Sequence, residues 1–287
     1  MAMALDGTEE GAVIGGQTIR DLTFADDIAL LAKQANGLQE SLTKVVQVSR
    51  EMGMSINVLK TESQFLGKGN IKFQLEADGY QLEQAESFVY LGGTISTNGE
   101  SEKDVDRRIG IARGILQVLG KVWSSKEIGK ATKVQMYETL VLSALLYNSE
   151  TWTLREAQKQ RLRVFEMTCL RKIEGVTRRD RIRNTEIYSR LNIRHDIIHK
   201  IQSKRLRYFG HVTRMRDERY PKIAVNGYVH GKRKKGRPKK RWFDMIQEDC
   251  REMGFSIQEA THKAQEREKW RFSIAGRLSR AKASSKP

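Results

Sequence analysis

Apolar positions in the first hundred residues come in short runs broken by polar pairs. Ile19, Leu22 and Phe24 lead into Ala25-Asp26-Asp27, and Ile28, Leu30 and Leu31 follow, which is the pattern of a half-buried strand-turn-strand. After Asn36-Gly37, apolar residues recur at Leu38, Leu42, Val45, Val46 and Met52, a helix-period stripe that stops at Gly53. Short strands are expected over 54–58, 64–66 and 88–91, the last ending at Gly92-Gly93. Beyond residues 96–99 the period becomes helical. Val105, Ile109, Ala112, Ile115, Leu116, Leu119 and Val122 form one stripe, and Val134, Tyr137, Leu140, Val141, Ala144 and Leu145 another. No proline precedes Pro221, so long helices are permitted. The pattern predicts an α+β protein with its strands first and an all-helical remainder.

The adjacent pair Asp26-Asp27 carries the most chemistry. Two ionised carboxylates in a half-buried hairpin repel each other and lose hydration unless a positive group sits beside them. A divalent cation answers both costs, and magnesium is typically held by one or two carboxylates together with substrate phosphates. A solvated Asp-Asp turn is the other reading the residues allow. Lys60, taken alone, reads as a solvated lysine at a strand end.

Three segments in this order carry a resemblance: Phe24-Ala25-Asp26-Asp27, the run from Gly53 to Glu62 with Ile56, Asn57, Lys60 and Thr61, and Tyr90-Leu91-Gly92. Together they resemble the second half of the reverse-transcriptase palm of non-LTR (LINE-type) retroelements. The resemblance implies that Asp26 is a metal ligand with Asp27 beside it, and that Lys60 faces the nucleotide triphosphate and protonates the leaving pyrophosphate. It implies that Phe24 and Ala25 line the primer end and that Tyr90, Leu91 and Gly92 form the primer-grip turn. The cofactor implied is Mg2+, the partners are RNA and DNA as template-primer, and deoxynucleotide triphosphates are the substrates of a complete site.

The same resemblance exposes a gap, because a palm needs a further carboxylate and a nucleotide-pocket helix ahead of the hairpin. Only 23 residues precede Phe24, so the chain is expected to be a truncated copy, a partial gene product or the tail of a longer protein, inactive alone. The expected organisation is a partial palm at 1–98, a thumb-like helical region at 99–150, a basic helical region at 151–230, a basic loop at 231–241, C-terminal helices at 242–280 and a tail at 281–287. Arg107, Arg108, Arg113 and Lys121 are candidates to face the template-primer backbone, or else the solvent face of a bundle. The blocks at 147–152, 171–173 and 210–214 resemble recurrent LINE-type segments without an assigned chemistry. A non-catalytic nucleic-acid-binding protein derived from a retroelement is the second reading.

Charge points to the same partner independently. Residues 1–150 hold 15 basic and 20 acidic side chains, whereas residues 151–287 hold 37 basic and 15 acidic, a net +22. Such a polarised field attracts phosphate backbones through counterion release. No lipidation signal and no apolar run of membrane-spanning length is present, so no membrane partner is expected, and an intracellular site, nuclear or ribonucleoprotein, fits. Cys169 and Cys250 make no zinc-knuckle spacing. His195 and His199 lie four apart on an expected helix without a third ligand and read as ordinary helix histidines. No nuclease-type spacing stands out after residue 200, and oligomeric state is not legible.

The densest cluster is Lys232, Arg233, Lys234, Lys235, Arg237, Lys239, Lys240 and Arg241, eight cations in eleven residues. Read as a nucleic-acid backbone contact or an import signal, with a lysine-bearing variant of the AT-hook core at 235–238, it needs no packed fold to act. Replacing Lys232, Arg233, Lys234 and Lys235 by alanine is expected to lower the magnitude of the salt slope of nucleic-acid binding by at most about four, one for each phosphate that is no longer neutralised. Thermal stability is expected to stay within experimental error. A markedly lower melting temperature with an unchanged slope would show that the segment is structural.

Overall fold

Strands of two to four residues and a long amphipathic helix build the N-terminal part of the chain. The structure is a computed structural model and describes residues 10–67, 69, 71–227 and 239–280, with side chains through residue 276. The described residues divide into two units, one within 1–89, 95–99 and 215–238, the other within 90–94, 100–214 and 239–287. Helices and small two-stranded sheets mix along the chain, in keeping with the α+β expectation. The second unit holds residues 100–214 together with the described residues from Lys239 onward.

In the first unit, strands β1 (Ala12–Ile14) and β2 (Gln17–Ile19) pair antiparallel, as do β3 (Asp21–Phe24) and β4 (Asp27–Leu30). Helix α1 (Ala35–Glu51) follows the predicted stripe and ends where Gly53 turns left-handed at φ +72°. Its apolar face is what orders the unit. Val45 packs against Ile28 and Leu30 of β4, and Leu42 and Val46 pack with Leu75, Ala77, Ile56 and Val58. Burying these side chains stabilises the helix more than its intrinsic propensity does.

The strand expected over 54–58 does not form. Asn57 instead opens a tight turn: Lys60 N and Thr61 Oγ1 both bond to its carbonyl, and Val58–Lys60 closes as 3-10 helix. Ile56 and Val58 still reach the α1 face, so burial is achieved without a ladder. The next strand, β5 (Glu62–Ser63), lies ahead of the expected 64–66. Strands β6 (Glu76–Ala77) and β7 (Tyr80–Gln81) form a hairpin around Asp78-Gly79, both at positive φ, a turn the sequence signals through its Asp-Gly pair. Gln39 of α1 clamps this hairpin by bonding the carbonyl and the amide of Glu76, each at 2.8 Å. Strand β8 (Glu83–Gln84) pairs in parallel with β5. Strands β9 (Ser87–Tyr90) and β10 (Gly93–Ser96) then form a hairpin in which the unit boundary falls.

The second unit is helical. Helices α2 (Glu102–Val118) and α3 (Gly120–Ser124) replace the single stripe expected through Val122, the break falling at Leu119. Helix α4 (Lys130–Met136) runs into a π-helical stretch, Tyr137–Leu142, and then α5 (Ser143–Leu145), so the second predicted stripe is continuous but widened in its middle. Helices α6 (Glu156–Glu174), α7 (Asn184–Arg190) and α8 (Ile197–Thr213) pack their apolar faces on these, with Leu162, Leu170, Ile187, Ile197 and Ile201 fully buried. Helix α9 (Tyr220–Asn226) belongs to the first unit.

Helices α10 (Trp242–Glu252), α11 (Ile257–Gln265) and α12 (Arg267–Arg280) close a second cluster on α8. Here Trp270 meets Phe209 edge-on and bonds the Leu206 carbonyl at 2.9 Å. A Cβ at Gly210 would stand 2.3 Å from the Trp270 ring, and Arg214 bonds the Ala264 carbonyl. The block at 210–214 is therefore accounted for as the seat of α11 and α12.

Glu166 is fully buried in α6, where it accepts from Tyr188 Oη at 2.6 Å and Ile197 N at 3.0 Å. Burial pushes its carboxyl up to about 7 despite both donors. A carboxyl raised in this way keeps, in the folded state, a proton that the unfolded chain releases at lower pH, so stability falls as pH rises from the ordinary carboxylate range through about 7. Glu166→Gln keeps an acceptor for both donors and removes the charge. The urea midpoint of the wild type is expected to drop more than that of Glu166→Gln between mildly acid and mildly alkaline pH, the difference amounting to at most about 3 kcal/mol. His199, raised by Asp196, contributes a slope of the same sign to both proteins. Parallel pH profiles would show that Glu166 is not the titrating group.

Candidate functional site

Asp26 and Asp27 sit at the tip of the β3–β4 hairpin, where Phe24 pairs with Asp27 across the turn Ala25-Asp26. The strand register follows from β4, whose Ile28 and Leu30 are drawn onto α1 and leave the tip in solvent. Ala25 takes φ +52°, a left-handed conformation that costs an L-residue about 1 kcal/mol. Both carboxylates are exposed and neither has a hydrogen bond or ion pair among the described residues. Phe24, 62% exposed, stands beside them as an apolar surface in water. Lys60 is exposed too, on the 3-10 turn rather than on a strand, and makes no side-chain bond among the described residues.

The donor set at the tip does not fit a two-metal cage. Two monodentate or bridging carboxylates from one turn leave most of two octahedral shells unfilled. Among the described residues no group of three or more His, Cys, Asp or Glu side chains could hold a metal ion. His195 and His199 supply none either. His195 precedes α8 instead of lying on it, and Asp196 caps that helix through His199 N at 2.9 Å and bonds His199 Nδ1 at 2.6 Å.

The turn Tyr90-Leu91-Gly92 belongs to the second unit, and its neighbours fix its shape. Leu91 and Gly92 are both left-handed, at φ +47° and +75°, the geometry of a tight two-residue hairpin turn. Tyr147 Oη donates to the Leu91 carbonyl at 3.1 Å, and Arg107 Nη1 to the Gly92 carbonyl at 3.1 Å. Arg108 donates to the same Gly92 carbonyl while its guanidinium lies 4.3 Å over the Tyr147 ring. Asp104 accepts from Thr94 N at 2.9 Å and from Trp152 Nε1 at 2.7 Å. A Cβ at Gly93 would stand 2.4 Å from Asn148 Nδ2, so a side chain there would displace the Asn148 amide. Leu91 itself remains 40% exposed beside a cavity of about 580 Å3 that Leu142, Leu146, Tyr147 and Lys204 line.

Arg108 departs from its sequence reading as a surface cation: it is buried and turned onto the Gly92 carbonyl, and burial lowers its pKa despite the nearby Asp104. Arg107 is exposed but bonds the same carbonyl, whereas Arg113 and Lys121 are simply exposed. Asp104, Tyr147 and Trp152 escaped the sequence reading as supports of this turn. The one signal for them was a carboxylate, Asp104, beside Val105 on an otherwise apolar stripe.

Of the basic cluster, Lys232, Arg233, Lys234, Lys235 and Arg237 lie outside the described residues. Lys239 stands 3.5 Å from Glu100, Lys240 pairs with Glu248, and Arg241 pairs with Asp244 at 2.9 Å while capping α10. Cys169 and Cys250 are free and buried, each thiol pushed up to about 12 by burial.

The chain is 27% identical over 243 residues to a Caenorhabditis elegans protein named "Putative uncharacterized transposon-derived protein", an alignment covering 82% of this chain and 87% of that protein. No family model matches the chain, and no solved structure matches it. No helix among the described residues is long and apolar enough to cross a membrane.

Because the tip offers two carboxylates and no third, residues 1–287 are expected to add no nucleotide to a primed RNA template with magnesium or manganese. Gel-resolved primer extension checks this. Robust extension that Asp26→Asn abolishes would falsify the account of an incomplete donor set.

Proposed function

We propose that this chain is the C-terminal part of an RNA-directed DNA polymerase of a non-LTR retroelement, carrying the second half of the palm, the thumb and a basic nucleic-acid-binding region. The observation that carries the proposal is the order and presentation of three motifs. Asp26-Asp27 stand exposed at a hairpin tip, Lys60 follows α1 on an exposed turn, and Tyr90-Leu91-Gly92 form a left-handed turn held by four side chains. The transposon-derived worm relative, aligned over most of both chains, supports a mobile-element origin.

In this reading Asp26 and Asp27 serve a magnesium-dependent site that is complete only with carboxylates beyond the described residues. Phe24, Ala25 and the Tyr90–Gly92 turn hold the primer end, Lys60 faces the triphosphate, and the basic second half holds the RNA and DNA backbones. The nucleus, where template and target meet, is the proposed location. A non-catalytic nucleic-acid-binding protein of the same origin is the second reading, favoured by the absence of a three-ligand group among the described residues.

Photo-crosslinking separates the two. An RNA–DNA hybrid whose DNA primer ends in a 3′ 4-thiothymidine is irradiated with residues 1–287, and the crosslinked peptides are mapped. The polymerase reading expects crosslinks in the peptides holding Phe24–Asp27 and Tyr90–Gly92. Crosslinks confined to residues 151–287, with none at either turn, would sink it and leave the binding protein.

A further inference from the structure

Between α6 and α7 the chain reads Thr177-Arg178-Arg179-Asp180-Arg181-Ile182-Arg183, four arginines in six positions. All four side chains are exposed, and none has a hydrogen bond or ion pair among the described residues. The surrounding cations behave differently. Arg171 bonds the Ile182 carbonyl at 3.1 Å and Asn184 at 2.7 Å, Lys130 pairs with Glu174 at 2.8 Å, Arg190 pairs with Glu186 at 2.9 Å, and Arg163 stands 3.6 Å from Asp196. Carboxylates thus offset Lys130, Arg163 and Arg190, and neutral oxygens hold Arg171, whereas the side chains of the four loop arginines have no partner among the described residues.

The loop that carries them is built, not slack. Asp180, its one acid, accepts from Thr177 N at 2.6 Å and Thr177 Oγ1 at 2.9 Å, and Thr177 Oγ1 in turn accepts from Arg179 N at 3.2 Å. Those bonds hold Asp180 below the usual carboxylate range and tie its charge to the loop backbone. Arg181 closes the 3-10 turn at φ +52°. Elsewhere in this unit left-handed positions between helices are filled by Asn148, Gly175, Asn192 and Gly254, the residues that adopt them at least cost. Among the described residues, the positive-φ positions not filled by Gly, Asn or Asp are Ala25, Leu91 and Arg181, and the first two lie in the two motif turns. The left-handed backbone lets Arg181 N close the turn on the Arg178 carbonyl at 3.2 Å while an arginine, not a glycine or asparagine, occupies the position.

We propose that the 177–183 loop is a preorganised phosphodiester-binding site of the nucleic-acid interface, distinct from the 231–241 cluster. Guanidinium groups are weakly hydrated planar forks that match phosphate oxygens in pairs, and a loop fixed in advance loses little entropy when it binds. The inference deepens the nucleic-acid reading above and rests on it.

The test uses residues 1–287 and fluorescence anisotropy with a short labelled RNA–DNA hybrid across a salt series. Arg178→Gln, Arg179→Gln and Arg183→Gln together are expected to lower the magnitude of the salt slope by about three. A control losing the same charge at ion-paired sites, Arg190→Gln, Lys200→Gln and Lys269→Gln, is expected to change it by less than one. Equal losses in the two variants would overturn the loop as a site and leave a diffuse field. Arg181→Gly, read separately, is expected to weaken binding while raising the melting temperature, because it removes the charge and the strain together. A lower melting temperature would show that Arg181 is structural and overturn its role here. Wild-type protein that fails to bind the hybrid refutes the nucleic-acid reading itself, and a larger loss on phosphatidylserine vesicles than on the hybrid refutes this loop as a nucleic-acid site.

Discussion

Asp104, Trp152, Arg205 and Asp249 form one buried polar chain on which the helical unit depends. Asp104 takes the Trp152 indole N–H, Arg205 Nη1 reaches the Trp152 carbonyl at 3.2 Å, and Arg205 Nε and Nη2 grip Asp249 at 2.6 and 2.9 Å. Arg205 and Asp249 are nearly inaccessible to water, and burial pushes the Asp249 carboxyl up in spite of its partner. Desolvation on this scale makes such a pair a weak source of net stability, yet losing one partner leaves the other buried and unpaired, which typically costs about 3–5 kcal/mol. What the chain supplies is register: α2, the 149–154 segment, α8 and α10 dock in one arrangement, since any slip strands a charge.

The turn at 90–94 inherits that rigidity. Asp104 holds Thr94 N with one oxygen and Trp152 with the other, so the left-handed Leu91-Gly92 pair is fastened to the same polar chain that sets the helices. The cost of a left-handed leucine is met by three donors on the carbonyls of Leu91 and Gly92, from Tyr147, Arg107 and Arg108. The opposite holds at Asp26-Asp27, where the hairpin is secured at its base by its own ladder and by Ile28 and Leu30 on α1, while no side chain among the described residues is seen to bond either carboxylate at its tip. One turn is imposed by its surroundings, whereas the other projects from them.

What was legible in the sequence was whatever a local period encodes. The α1 stripe and the β3–β4 hairpin follow from apolar spacing, and the long stripes of α2 and of 134–145 do so apart from a break at Leu119 and a π-helical middle that spacing alone does not record. Residues 54–58 misled because alternation signals burial of Ile56 and Val58 equally well when they reach α1 from an irregular segment. The buried charges were invisible for a different reason. Arg205 finds Asp249 44 positions away and Asp104 finds Trp152 48 positions away, so each looks like surface until the fold supplies its partner. Arg108 was misread for the same cause, its partner being a carbonyl 16 residues earlier.

Charge distribution across the fold follows from this. Most carboxylates of the helical unit have partners inside the protein, and Arg161, Arg190 and Arg205 are among the guanidinium groups that pair with them, so the free energy of those pairs is committed to folding and little of it remains to attract a ligand. Asp26 and Asp27 in the first unit, and Arg178, Arg179, Arg181 and Arg183 in the second, are exposed and uncommitted among the described residues. Each set lies on a turn held by its own backbone or by neighbouring packing, and each turn includes an L-residue at positive φ that is not Gly, Asn or Asp. Like charges kept together on a constrained turn repel one another, and at these exposed positions water and salt screen part of that repulsion, which a bound counter-charge would relieve further. Sign, exposure and backbone conformation together set these two turns apart, where composition alone argued only for a basic half.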